Sequence, residues 1–402
     1  RIKKALREKP EHASKAFAVD NADITTFDAY ALKILRKYGY YADLDSDVVN
    51  LDQGLELVLM RRYFDEVMED YYKDPPLAFR YFTKRFLSKK DDKLFELITK
   101  FDSQLKLQID AETYLENYIE KFYSDAKFEA IYKEFNEYVV NTIRKVAQAI
   151  KNLNCERHLQ KYETFLNKFG QILSFDDYMN DLDSFIYQNR PAGTLRDYPE
   201  DRPFANIIKE YIADLKSVQV YESRAKMYEV FQETKGHAAF ILEIYRKIRE
   251  RLAVFKNEKS AYTFSDIAYS AYRLVCIPEV QNELRNQYEY ILIDEYQDTS
   301  DIQEEFIQKI ANNNVYMVGD IKQSIYAFRN ANCDIFREKY ARYRAGKEGK
   351  KVDLNDNYRS RPEVLNAINA ILNELMTEDF GSANYKKEHQ INQGNKKYDK
   401  FK

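Results

Sequence analysis

At 402 residues the chain is long enough for two or three domains, and a hydrophobic content of 45% supplies a packed core and excludes global disorder. Ten Gly and 8 Pro are too few for an all-β protein, and a net charge of −3 excludes a uniformly basic surface, so any nucleic acid must meet a local basic groove. Cys155, Cys276 and Cys333 are far apart, the four histidines (His12, His158, His237, His389) are scattered, and no apolar run is long enough to span a membrane; a disulfide framework and a zinc site are thereby disfavoured and a reducing cytoplasm fits. The first residue is Arg1, inside a charged stretch, which reads as part of something longer.

Residues 1–20 read as a polar, helical entry, and Ala22 to Phe27 as a short strand and turn. A helix follows with Leu32, Leu35 and Tyr38 at helical spacing. From about 51 to 260 the pattern is almost entirely helical. Leu55, Leu59, Tyr63, Val67 and Tyr71 repeat every four residues, with Met60, Phe64, Met68 and Tyr72 beside them, and similar stripes recur through 111–150 and 205–255. The break is a turn-rich loop from Gln188 to Gly193, continuing to Pro199 and Pro203.

After 260 the character changes. Tyr290-Ile291-Leu292-Ile293 is an apolar run ending in two acids, and Val315-Tyr316-Met317-Val318 is another ending in Gly319-Asp320. Between them Ser300 and Gln303 form a capping box that opens a helix carrying Ile302, Phe306 and Ile310 on one face. Strand, helix, strand with unbroken apolar strands is the pattern of a buried parallel sheet. A third strand is expected near Val352 and Leu354, then a capping box at Ser360 and Glu363 whose helix turns Val364, Leu365, Ile368, Leu372 and Leu375 inward.

Open parallel sheets bind ligands at the carboxyl ends of their strands, where Asp294 and Glu295 stand. Paired acids there suit nucleotide hydrolysis, one carboxylate holding Mg²⁺ and its neighbour orienting or deprotonating water. Adjacent acids after a strand also serve simply as a helix-capping cluster, and the pair alone leaves both readings open.

The string Ile291-Leu292-Ile293-Asp294-Glu295-Tyr296-Gln297-Asp298-Thr299 resembles the Walker B segment of the UvrD/Rep/PcrA and AddA/RecB helicases of superfamily 1. Gly319-Asp320-Ile321-Lys322-Gln323-Ser324-Ile325-Tyr326-Ala327-Phe328-Arg329 resembles that family's next motif, and Asn357-Tyr358-Arg359-Ser360-Arg361 the one after. Three long matches in order are highly specific. The resemblance implies an α/β fold: a RecA-like parallel-sheet P-loop NTPase motor domain, incomplete here, with a large all-helical insertion. It divides the chain into 1–50 and 261–350 as the first motor domain, 51–260 as the insertion and 351–402 as the start of a second motor domain.

The same resemblance implies site residues. Asp294 is similar to the Mg²⁺ ligand and Glu295 to the general base. Gln323 resembles the glutamine that senses the γ-phosphate and links it to DNA, Arg359 an arginine finger, and Tyr358 the aromatic that stacks on adenine. Read without the motif, Arg359 is a surface salt-bridge residue. Tyr326 and Phe328 correspond to positions contacting single-stranded DNA, the alternative being that both rings are core. Thr26-Phe27-Asp28-Ala29 resembles a segment that contacts the DNA strand through Thr26 and Phe27. Asp28 and Ala29 depart from that pattern, and an acid facing phosphate is unfavourable. Tyr262 to Ile267 resembles the segment that re-enters the motor domain, with Asp266 readable as a helix cap.

The version of the glutamine motif here, with Phe336 beyond it, is closer to AddA and RecB, since the UvrD branch usually has further acids before the glutamine. Arg1 to Leu6, Ile34 to Asp45, Phe380 to Tyr385 and Gly394 to Tyr398 also resemble AddA. Membership implies ATP and Mg²⁺ as cofactors, single-stranded and duplex DNA as partners, an AddB-like partner protein, and a role in recombination and repair. A UvrD-type repair helicase without nuclease, a non-catalytic DNA- or partner-binding fragment, and another P-loop ATPase sharing the acid pair are the alternatives. No Gly-x-x-x-x-Gly-Lys-[Ser/Thr] occurs: Gly349-Lys350 is followed by Lys351, and Arg344 stands where the first glycine belongs. The family's P-loop lies upstream of Arg1, so the 402 residues alone are expected to be inactive.

Overall fold

Long runs of good helix formers with few Gly or Pro carry most of the chain into helices; the two longest strands form where short apolar runs end in Asp294-Glu295 and Gly319-Asp320, and the other strands described are two residues each. A computed structural model describes residues 2–10, 16, 18–45, 47–86, 91–181, 198–327, 330–377, 380 and 383–401. With helices of ten residues or more numbered, the order is α1 (Phe27–Tyr38), β1 (Val49–Asn50), α2 (Gln53–Lys73), α3 (Leu77–Phe86), α4 (Asp92–Leu105), α5 (Asp125–Lys151), α6 (Arg202–Ser217), α7 (Arg224–Lys259) and β2 (Ala261–Tyr262). It continues with α8 (Phe264–Val275), α9 (Pro278–Gln287), β3 (Ile291–Ile293), α10 (Asp301–Ile310), β4 (Val315–Met317), α11 (Cys333–Arg344), β5 (Asp356–Asn357), α12 (Pro362–Leu375) and β6 (Asn392–Gln393). Two units are distinguished: Arg1–Tyr63 with Phe101–Ile109 and Arg249–Lys402, and Phe64–Lys100 with Asp110–Ile248. Among the described residues no helix is long and apolar enough to cross a membrane.

The first unit holds three two-stranded parallel pairs, β1–β2, β3–β4 and β5–β6. Its core packs Ile34, Leu35 and Tyr38 of α1 against Ile267, Ala271 and Leu274 of α8, Val280 and Leu284 of α9, and Phe306 and Ile310 of α10. The entry to α8 is set by a reciprocal capping box in which the Asp266 N–H donates to Thr263 Oγ1 and the Thr263 N–H to Asp266 Oδ2. Thr263 is the N-cap and Asp266 its N3 partner, so Asp266 serves the capping its sequence position allowed, and more. Lys256 Nζ meets it at 2.5 Å and Glu56 at 2.7 Å, while Lys106 joins Glu56 at 2.7 Å and Asp102 at 2.9 Å. Burial pushes the Asp266 carboxyl up, but Lys256 and the Thr263 bonds outweigh it and hold it below the usual carboxylate range.

Among its described residues the second unit holds helices, turns and loops and no strand. Val139, Ile143, Val146 and Ile150 of α5 pack with Phe175, Tyr178, and Ile208 and Leu215 of α6. A separate aromatic group stacks Tyr71 on Phe79 at 5.4 Å and sets Phe82 5.4 Å from Phe240.

Several expectations are corrected. Ala22 to Phe27 forms no strand: Thr26 caps α1 by accepting the Ala29 N–H at 3.4 Å, which starts the helix at Phe27. In α2 the stripe from Leu59 to Tyr71 is buried apart from half-buried Tyr63, but Leu55 and Tyr72 are exposed, and Glu56 turns inward because Lys106 and Lys256 pair with it. Pro199 opens a short turn and Pro203 lies in the first turn of α6, whereas Gln188 to Gly193 lies outside the described residues. The β3–β4 pair is parallel with Ile291 opposite Val315, as expected, yet one of its faces is bare, with Leu292 73% and Tyr316 55% exposed. Val352 and Leu354 are exposed and irregular; the strand comes later, at β5. Ser360 does not cap α12. Arg361 is the N-cap, in the extended conformation that a following proline imposes, and Pro362 begins the helix. On α12 only Leu365 is buried and Leu372 half-buried, while Val364, Ile368, Ile371 and Leu375 form an exposed apolar stripe.

Candidate active site

The ladder between β3 and β4 continues beyond the strands. Val318 N–H donates to Ile293 O and Tyr296 N–H to Val318 O, both at 2.8 Å, which pins the chain on either side of Asp294-Glu295. The pair thus forms an elbow at the carboxyl end of β3. Glu295 adopts left-handed φ 52° and ψ 45°, an uncommon choice for a residue with a side chain and a conformation that surrounding bonds must hold. Asp294 Oδ1 accepts the Glu295 N–H at 3.0 Å, and both acids are exposed.

Behind the elbow Tyr296 is buried and anchored. Its hydroxyl donates to Glu304 of α10, Lys339 of α11 meets the same carboxylate at 2.5 Å, and Gln308 donates to it at 2.6 Å. Lys339 Nζ also stands 5.0 Å from the centre of the Tyr296 ring. Burial acts to raise the Glu304 carboxyl, but Lys339, Tyr296 and Gln308 hold it below the usual range. Burial and the Glu304 carboxylate push the Tyr296 phenol well above its ordinary value.

The second loop, after β4, is tied to the first. Gln297, 2% exposed, donates from Nε2 to Glu295 Oε2 at 2.7 Å, and its Oε1 accepts the Asp320 N–H at 2.9 Å. Asp320 in turn receives Gln323 Nε2 at 3.0 Å and pairs with Lys322 at 2.7 Å. Burial pushes the Asp320 carboxyl up, and these bonds outweigh it and lower it. Gly319 is required here: a Cβ would come within 2.7 Å of Gln297 Oε1 and 2.9 Å of the Phe336 ring.

Among the sequence-derived candidates, Asp294, Glu295 and Gln323 are thus joined by hydrogen bonds through Gln297 and Asp320, two motif residues that the resemblance leaves without a role. Tyr358 and Arg359 follow β5, on a different strand pair, and neither bonds to the acid pair. Their loop is held by Asn357 Oδ1, which accepts the Arg359 and Ser360 N–H groups, and by the Tyr398 hydroxyl on Arg359 O. Gly394 lies against the Tyr358 ring so closely that a Cβ would come within 2.8 Å, yet Tyr358 remains 65% exposed. Thr26 is an exposed helix cap, Phe27 packs edge-on against Phe306 at 5.3 Å, and Tyr326 is half-buried. Phe328 lies outside the described residues.

Among the described residues no group of three or more His, Cys, Asp and Glu could hold a metal ion. The exposed Asp294 keeps Oδ2 open, so the donor chemistry here fits a Mg²⁺ that one carboxylate would hold, with water and phosphate as its other ligands.

The description "UvrD/REP helicase N-terminal domain" matches residues 125–344, more than half of the chain and inclusive of both linked loops. The chain belongs to the UvrD/REP helicase family. Within this family it is similar along nearly its whole length to AddA-type proteins, each named as a subunit of an ATP-dependent helicase/nuclease. That of Staphylococcus haemolyticus is 27% identical over 99% of this chain and 36% of its own length. Those of Streptococcus pneumoniae and Bacillus licheniformis are each 28% identical, over 95% and 98% of this chain and 34% and 35% of their own lengths. The UvrD/REP chain described here therefore spans about a third of the length of the curated relatives it matches. Tyr358 and Arg359 lie beyond the residues matched to the family description.

Proposed function

We propose that these 402 residues carry the water-activating half of an AddA-like, ATP-driven DNA helicase centre and work within a longer protein. The observation that carries this reading is the acid elbow at the end of a parallel strand, hydrogen-bonded through Gln297 and Asp320 to Gln323. Glu295 is the general base that orients and deprotonates the attacking water. Asp294 is the residue that would hold Mg²⁺, and the ion would supply positive charge against the ATP phosphates. Gln323 reports the γ-phosphate, Arg359 offers a planar cation to the transferring phosphoryl group, and the exposed Tyr358 ring offers a face to adenine. Thr26, Phe27, Tyr326 and Phe328 are the candidate DNA contacts, Phe27 being the weakest because its ring packs against Phe306.

In this reading 1–50 and 261–350 belong to one RecA-like motor domain, 51–260 is its helical insertion and 351–402 opens a second motor domain. The 402 residues contain no phosphate-cradling P-loop, so that cradle is supplied from elsewhere in the longer protein, and the partner is an AddB-like protein. The bare apolar face at Leu292 and Tyr316 and the stripe Val364, Ile368, Ile371 and Leu375 on α12 favour this, because water-exposed apolar stripes of that regularity ordinarily have a covering element.

Strand displacement tests the reading. The longer protein, given ATP and Mg²⁺, is expected to separate duplexes that carry single-stranded tails and to stop when Mg²⁺ is chelated. Absence of ATP-dependent separation on tails of both polarities would contradict it.

A further inference from the structure

We infer that Gln297 is a positioning residue: its buried side-chain amide sets the Glu295 carboxylate relative to the loop that carries Gln323. The inference rests on the ATPase reading above. Three hydrogen bonds make a continuous chain from Glu295 Oε2 to Gln297 Nε2, from Gln297 Oε1 to the Asp320 N–H, and from Asp320 Oδ2 to Gln323 Nε2, at 2.7, 2.9 and 3.0 Å.

The orientation of the amide is dictated by its partners. A backbone N–H can only donate, so the end facing Asp320 must be the oxygen, which leaves the NH₂ group facing the carboxylate of Glu295. Only glutamine offers an acceptor and a donor at this length. Glutamate would set a second acceptor against Glu295, methionine would satisfy neither partner, and asparagine is one methylene short. At 2% exposure the amide has no water to replace a lost bond.

Three further observations make Gln297 more than a strut in the core. The exposed Glu295 is held in left-handed backbone geometry, so its carboxylate direction is set by what surrounds it. The bare Gly319 lets the Asp320 N–H approach, since a Cβ there would collide with Gln297 Oε1 and lie 3.1 Å from the Gln297 backbone nitrogen. Ser324 Oγ also donates to Gln297 O at 3.4 Å, a second tie between the two loops. Movement of the Gln323 loop is thereby transmitted to the carboxylate that faces water.

The test compares Gln297→Glu, which keeps the acceptor for Asp320 but loses the donor to Glu295, with Gly319→Ala, which displaces the amide without changing it. In the longer protein both are expected to lower kcat for DNA-stimulated ATP hydrolysis by about tenfold to a hundredfold, with KM for ATP within about twofold. Thermal melting measured beside the kinetics shows whether each variant folds, and either folded variant suffices. Independently of hydrolysis, Gln297→Met in the 402-residue chain should speed hydrogen exchange at the Asp320 amide, whereas Gln297→Glu should not. Glu295→Gln separates the two levels. If it retains wild-type kcat, the ATPase reading fails; if it abolishes hydrolysis while a folded Gln297→Glu keeps wild-type kcat, or if Gln297→Met leaves Asp320 exchange unchanged, this inference is overturned and the ATPase reading stands.

Discussion

Glu295→Gln in the longer protein is expected to reduce DNA-stimulated ATP hydrolysis by about 10²–10⁴-fold, the range a positioned general base supplies. The substitution is nearly isosteric, and the left-handed backbone at residue 295 is already set by the Tyr296 and Val318 bonds on either side, so the fold should not change. What is lost is the proton acceptor. The replacement amide can still turn its oxygen toward Gln297 Nε2, which keeps the link to Asp320 and isolates the chemical step. Steady-state kinetics should show the loss in kcat with KM for ATP nearly unchanged, because the proposed base acts on water and not on the nucleotide. Asp294→Ala should differ by raising the Mg²⁺ concentration needed for half-maximal rate. Retention of kcat within about tenfold in Glu295→Gln would remove the base assignment.

The second large effect is on stability. Lys339→Met removes the cation from a site where Glu304 is 9% exposed, leaving its carboxylate with only Tyr296 and Gln308 as donors. Breaking a buried pair in this way costs about 3–5 kcal/mol, whereas replacing both members with apolar residues of similar volume is often close to neutral. Urea unfolding of Lys339→Met, Glu304→Leu and the double variant should therefore be strongly non-additive, with the double variant the most stable of the three. The pH dependence has a definite sign. The folded Glu304 carboxyl is held below its unfolded value, so the stability it contributes is present above about pH 4.3 and is lost as pH falls through the lowered folded value. Unfolding followed from pH 7 downward should show the wild type losing part of its advantage over Lys339→Met on the acid side. A parallel pair of curves would mean that the pair is not coupled to folding.

The parts of this molecule that were legible in the sequence are those written in short-range signals. The apolar runs ending in Asp294-Glu295 and Gly319-Asp320 became the parallel pair β3–β4, and the Ser300–Gln303 box opened α10, because strand runs and caps depend on neighbours a few residues away. Which face of an element is covered depends on partners remote in sequence, and there periodicity misleads. Leu55 is expected inside, but Glu56 is, because Lys106 and Lys256 supply the charges that make its burial tolerable. On α12 the periodic stripe is real but bare, since periodicity marks an apolar face and not what lies against it. Gln297 illustrates the same limit at the site. The motif shows a glutamine two places after Glu295, but only the pairing of β3 with β4 brings the Asp320 N–H, 23 residues away, to the other end of its amide.

The central claim, that the acid elbow serves a phosphate cradle supplied from outside these 402 residues, is tested most directly by measuring ATP hydrolysis with saturating single-stranded DNA for the 402-residue chain beside the longer protein. The expected result is DNA-stimulated turnover by the longer protein, abolished by Glu295→Gln, and no turnover above background by the 402 residues alone. DNA-stimulated hydrolysis by the isolated 402-residue chain, or its absence from the longer protein, would contradict the account.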